Sequence, residues 1–114
     1  MRQTMLVVMP DCGEPPGGVY RTAVTPPGAA VTAKQTITYG LGAKNTVTLS
    51  SRDRDGCMLA LQRDIVTLSG ELLERQEIPL PPLKSPEWAL AAAGALLAAG
   101  CPPEDLYREI QETQ

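Results

Sequence analysis

The sequence predicts a mixed α/β (α+β) domain: a short pair of parallel strands, an antiparallel meander, and two C-terminal helices covering one side. Three observations lead there. Residues 4–9 (T-M-L-V-V-M) form an unbroken apolar run with β-branched members, the character of a strand buried in a parallel sheet. Residues 46–80 break into short apolar or alternating segments separated by turn residues. Residues 85–112 carry two successive sets of helix start signals.

Pro10 ends the first strand. Residues 10–33 read as a Pro/Gly-rich connector punctuated by Pro15-Pro16-Gly17-Gly18 and Pro26-Pro27-Gly28. Inside it, residues 19–24 (V-Y-R-T-A-V) fit either a short strand or one helical turn. Such a long connector in a compact domain points to a functional or mobile loop. Residues 35–39 (Q-T-I-T-Y) make a second strand, closed by Gly40-Leu41-Gly42.

Residues 46–50 alternate, with Val47 and Leu49 on one face and Thr46, Thr48 and Ser50 toward water. Arg52-Asp53-Arg54-Asp55-Gly56 is a charged turn with a strong hairpin signal in Asp55-Gly56. Residues 57–62 return, residues 65–68 restart, Ser69-Gly70 turns, and residues 72–80 form one further strand with Glu71, Glu74 and Glu77 marking the solvent side.

Ser85-Pro86-Glu87 opens a helix: Ser85 as cap, Pro86 at the first helical position, Glu87 at the positive end of the dipole. The helix runs to Gly100 and is apolar nearly all round, which predicts burial on more than one side. Pro102-Pro103-Glu104-Asp105 opens a second helix, with Leu106 and Ile110 facing inward.

The 114 residues suit a single domain (1–114), divided into the connector at 10–33, strands at 34–80 and helices at 85–112. With no Phe and one Trp, the core has to be built from Leu, Val, Ile, Met and Ala. Ten basic residues are scattered against 13 acidic ones for a net charge of −3, with no basic stripe and few aromatics, which argues against nucleic-acid binding. Cys12, Cys57 and Cys101 are odd in number and far apart, so free thiols in a reducing, cytoplasmic compartment are expected. The longest apolar stretch, residues 88–99, is too short for a membrane span, which needs about 20 residues.

The absence of His removes Ser-His-Asp and Cys-His chemistry and most zinc sites. Gly40-Leu41-Gly42-Ala43-Lys44-Asn45-Thr46 has the residue types of a phosphate loop. Its glycine-to-lysine spacing is wrong and a strand follows, so a turn between strands is the better reading. The segment around Gly56 fails as a calcium loop, because Gln62 stands where a bidentate Glu is needed. Trp88 reads as a core or interface anchor, with a stacking platform as the sharper alternative. Cys12 and Cys101 read as structural or incidental thiols.

Four segments in order resemble the second half of the central domain of Mur-type peptide ligases, the ATP-dependent amino-acid-adding enzymes of the bacterial cell wall. Residues 6–11 (L-V-V-M-P-D) sit where the family has a strand ending in an acidic turn, and residues 34–42 (K-Q-T-I-T-Y-G-L-G) are similar to its I-T-Y-G strand. Residues 78–99 resemble its L-P-L-P-G-x-H-N-x-x-N-A-L-A-A stretch, and residues 100–110 (G-C-P-P-E-D-L-Y-R-E-I) its following helix. The resemblance covers roughly residues 5–111 and implies the fold. It departs where the family holds nucleotide: the His-Asn-x-x-Asn positions carry Lys84, Ser85 and Trp88, Pro82 replaces a glycine, and only Asp11 remains of the acidic turn. The phosphate-loop half is absent.

The expected function is therefore a non-catalytic interaction module or degenerate ligand-binding module, with a homodimer or protein partner, and with no cofactor, catalytic residue or metal ligand assigned. Asp11, Lys44, Lys84 and Trp88 are the candidate binding residues. The alternatives are a small nucleotide-binding protein or enzyme, with Asp11, the loop at 40–46 and Lys84 around a site completed at an oligomer interface, or one subunit of a split Mur-like ligase.

Overall fold

A computed structural model describes residues 3–15 and 17–114. Three strands, β1 (Gln3–Val7), β2 (Val19–Thr25) and β3 (Thr32–Thr38), form a parallel sheet in the order β1-β2-β3. The expected parallel pair is thus a trio. The segment left open between strand and helical turn is its central strand, so the 10–33 stretch is not one connector but two short crossovers around β2. Neither crossover contains a helix among the described residues. Pairing on both sides explains why β2 buries Tyr20, Thr22, Ala23, Val24 and Thr25 despite its polar members.

The second sheet is antiparallel, β4 (Val47–Asp53), β5 (Gly56–Leu61) and β8 (Gln76–Leu80), with β5 in the centre. It meets the first through a parallel bridge between Tyr39 and Val47. Residues 72–80 are not one strand: β7 (Leu72–Leu73) pairs with β6 (Ile65–Val66) in a separate hairpin before β8 begins. The break falls at Glu74-Arg75, where the Asp64 carboxylate accepts the Arg75 N–H at 2.9 Å. The charged turn closes β4 to β5 as expected, with Asp53 Oδ1 accepting the Asp55 and Gly56 N–H groups.

The alternation read at residues 46–50 is only half right. Thr46 and Thr48 are buried, not solvated. They lie where the two sheets join, so both faces of early β4 are covered. Thr46 is accommodated by Thr38, whose Oγ1 accepts its N–H at 3.0 Å. The Thr48 hydroxyl has no partner.

Helix α1 (Pro86–Ala99) lies across the sheet junction. A Cβ added at Gly94 would come within 3.1 Å of Val24, 3.7 Å of Ile37 and 3.9 Å of Val47 side-chain carbons, so the missing side chain sets how closely helix and sheet approach. Ala89, Leu90, Ala91, Ala93, Leu97 and Ala98 are also buried, which is the all-round burial the sequence predicts. Ser85 occupies the N-cap position, but its hydroxyl makes no capping hydrogen bond. Gly100 ends the helix at φ +107°, with the Gly100 and Cys101 N–H groups donated back to Leu97 and Leu96. After a single 3-10 turn, Pro103–Asp105, helix α2 (Leu106–Thr113) buries Leu106 and Ile110 against β8 and α1. No described helix is long and apolar enough to cross a membrane.

The core is aliphatic as expected, with one addition. Tyr20 and Tyr39, two of the three tyrosines, are among its largest fully buried side chains.

Candidate functional site

The parallel strands point their C-terminal ends toward the loops at residues 8–15 and 26–30, the end of an α/β sheet where ligands usually bind. Those loops line a hollow of about 390 Å³. Asp11 sits on its rim in the left-handed backbone region at φ +59°, a conformation that Asp tolerates better than most residues. Cys12 and Glu14 lie beside it, both exposed.

Beneath this rim, the Tyr39 hydroxyl donates to the Val8 carbonyl at 2.6 Å. This bond ties the end of β3 to the end of β1 across β2. The phenol is pushed up to about 12, first by burial and then by the negative charges of Glu87, Cys12 and Asp11. Acidic groups from the β1 loop and from the first turn of α1 therefore share one neighbourhood around Tyr39. The sequence reading did not connect Tyr39 or Glu87 with Asp11, because strand pairing across β2 is not visible in local spacing.

Lys84 and Trp88 come together elsewhere. With Ser85, Thr113 and Gln114 they line a hollow of about 240 Å³ at the N-terminal end of α1. Trp88 is 42% exposed, so it is not the core anchor the sequence suggests. α1 buries Ala89, Leu90, Ala93, Gly94 and Leu97, and the indole in the first turn stays outside that set. The hollow has a fixed wall: Gln114 Oε1 accepts the Lys84 N–H at 3.0 Å, and Gln114 Nε2 donates to the Pro82 carbonyl at 2.9 Å. An exposed indole beside an ammonium and a free hydroxyl is able to stack a planar group and hold an attached anion.

Lys44 is exposed on a third loop. That loop folds on itself: Asn45 Nδ2 donates to Gly42 O, and Gln62 Nε2 donates to the carbonyls of Ala43 and Asn45, each at 2.7 Å. The geometry is that of the turn the sequence predicts. Of the four candidates, the structure groups Lys84 with Trp88 and places Asp11 on a different hollow, while Lys44 lines neither.

Among the thiols, Cys57 is buried, Cys101 half-buried and Cys12 exposed, and all are free. Burial, followed by the Glu109 and Asp105 carboxylates, pushes the Cys101 thiol up, which opposes any nucleophilic role. Among the described residues no group of three or more Cys, Asp or Glu side chains is placed to hold a metal ion.

Fold and hollows together define a mixed α+β domain in which a parallel trio and an antiparallel trio share one helix-covered face. Compared with protein-family models and with curated proteins, the chain matches none.

Proposed function

We propose that this domain is a non-catalytic interaction module, related in plan to the second half of a Mur-ligase central domain, that pairs with a second copy of itself or with a partner protein through the open edge of β1. The observation that carries the reading is that edge. β1 is the outermost strand of a parallel sheet, and its Met5, Leu6 and Val7 are only half-buried. Parallel sheets are ordinarily enclosed, and an unprotected apolar edge strand invites another strand. The order of elements supports the Mur-like plan: parallel strands, an antiparallel trio, then a helix opening at Ser85-Pro86. A cytoplasmic setting goes with it, given three free thiols.

Light scattering of the purified chain at micromolar concentration tests the reading. A dimer mass is expected, and Leu6→Lys, on the face of β1 opposite to the core-packed Met5 and Val7, should return it to a monomer. A monomeric wild-type mass counts against the self-association arm and leaves a partner protein as the occupant.

Trp88 favours a second reading, degenerate ligand binding. It is exposed beside Lys84 and Ser85, at the positions where the resemblance places nucleotide-holding residues. A thermal-shift panel with Mg-ATP, other nucleotides and UDP-linked muramyl precursors tests it. A ligand at a hundred times its dissociation constant stabilises by about 2.7 kcal/mol. A shift that Trp88→Ala abolishes supports this reading, and no shift with any compound removes it.

A further inference from the structure

The opposite end of the parallel sheet carries a pair of cations that the chain itself does not neutralise. In the β2–β3 register Tyr20 lies beside Ala33 and Thr22 beside Gln35, which sets Arg21 next to Lys34. Both are exposed. Adjacent strands lie about 4.8 Å apart, and like charges at such neighbouring positions repel. Among the described residues the only ion pairs are those of Arg108 with Asp105 and Glu109. The residues outside that set, Met1, Arg2 and Pro16, include no acid. The protein has 13 acidic side chains, yet none is paired with these two.

Successive side chains along a strand point to opposite faces, so Val19, Arg21 and Lys34 share one face of the sheet, and Thr22 and Gln35 lie on the other with α1. A hollow of about 320 Å³ lies against Val19, Tyr20, Arg21 and Lys34. Val19 adds exposed apolar surface, at 61%. A hollow of several hundred Å³ with a few polar groups and an apolar wall fits a small organic ligand.

We infer that Arg21 and Lys34 form a binding site for a small oxyanion, a phosphate ester or carboxylate, whose apolar body lies against Val19. The guanidinium fork engages two oxygens side by side, and the ammonium supplies a second charge to the same group. A bound anion removes the repulsion between the two cations, so part of the binding free energy is stored in the empty site. This site stands at the start of β2 and β3, away from the Asp11 loops at the ends of those strands and from the Trp88 hollow, and does not depend on the interaction reading given above.

The test is a titration of isotope-labelled protein followed by amide NMR shifts, using inorganic phosphate, phenyl phosphate and benzoate, with sodium chloride at matched ionic strength as reference. Saturable shifts are expected at Val19, Arg21 and Lys34, with phenyl phosphate or benzoate binding more tightly than inorganic phosphate. The tighter of the two organic probes assigns the natural ligand to phosphate or carboxylate chemistry. Arg21→Gln and Lys34→Gln should each weaken binding about tenfold. The double variant should melt above the wild type in low salt without ligand, which also shows that it folds. The inference is overturned by shifts that do not saturate, by shifts centred on Lys44 or Lys84, by affinity unchanged in both variants, or by a double variant that folds but melts below the wild type. Inorganic phosphate binding as tightly as phenyl phosphate removes the apolar half of the assignment.

Discussion

The side chain of Gln35 acts on Val66 as a further strand would: its Oε1 accepts the Val66 N–H and its Nε2 donates to the Val66 carbonyl, both at 2.9 Å. This one side chain fastens the β6–β7 hairpin to the parallel sheet, helped at the far side by the Leu68 N–H donated to Ala98 of α1. Gln35→Ala frees two backbone groups that water can reach, so the expected loss is about 1 kcal/mol, not the larger cost of buried orphans. Chemical denaturation measures the loss. Hydrogen exchange should show the Val66 amide opening first, while β2 stays protected.

Thr48 offers a gain. Its hydroxyl is buried without a partner, and Thr48→Val removes that cost while keeping the β-branched shape. A stabilisation of about 1 kcal/mol is expected, read as a raised Tm. Thr46→Val is the contrasting control, because the Thr46 hydroxyl lies 3.5 Å from that of Thr38. That variant should gain nothing or lose.

Gly56 is required by a close approach. A Cβ there would come within 2.8 Å of the Leu80 carbonyl oxygen, at a φ of +156° that side-chain-bearing residues rarely adopt. The contact is with backbone in a paired strand, which has little room to yield. Gly56→Ala should cost about 2 kcal/mol, and its effect should concentrate on the β5–β8 pairing. Amide exchange along β8 distinguishes this from a uniform loss.

Tyr39 gives the fold an alkaline limit. Its ordinary value of 10.0 rises to about 12 in the folded protein, so folding favours the neutral phenol. That contribution is complete below pH 10 and is lost as the pH rises toward 12. Tyr39→Phe lacks the ionisation and the bond to Val8, so it should be less stable near neutrality by about 1 kcal/mol and should fall less steeply at high pH. Melting curves of both proteins across the alkaline range check the sign.

Long or well-punctuated elements were legible in the sequence. α1 has Pro86 at its first turn and Gly100 at its end, and Leu106 and Ile110 face inward four residues apart. What escaped depends on partners distant in the chain. β2 is short and flanked by Pro-Pro-Gly segments, and only its two neighbours identify it as a central strand. Thr46 and Thr48 alternate like a solvent face, yet the meeting of two sheets covers them. Trp88 reads as a core or interface anchor by size, but it stands in the first turn, 42% exposed and outside the residues that α1 buries. The same holds for the candidate sites. Lys84 and Trp88 are one helical turn apart and were read together, whereas Arg21 and Lys34 become neighbours only through the register of parallel strands.

The seating of Gly94 on Val24, Ile37 and Val47 also has a consequence for the order of synthesis. All three strand residues leave the ribosome well before the helix that covers them. Until α1 has emerged, the nascent sheet has no lid, and its apolar face is exposed to chaperones and to other nascent chains. Ribosome-bound chains stalled before Pro86 should therefore behave as collapsed, protease-sensitive intermediates, and native resistance should arrive in one step when the helix clears the exit tunnel.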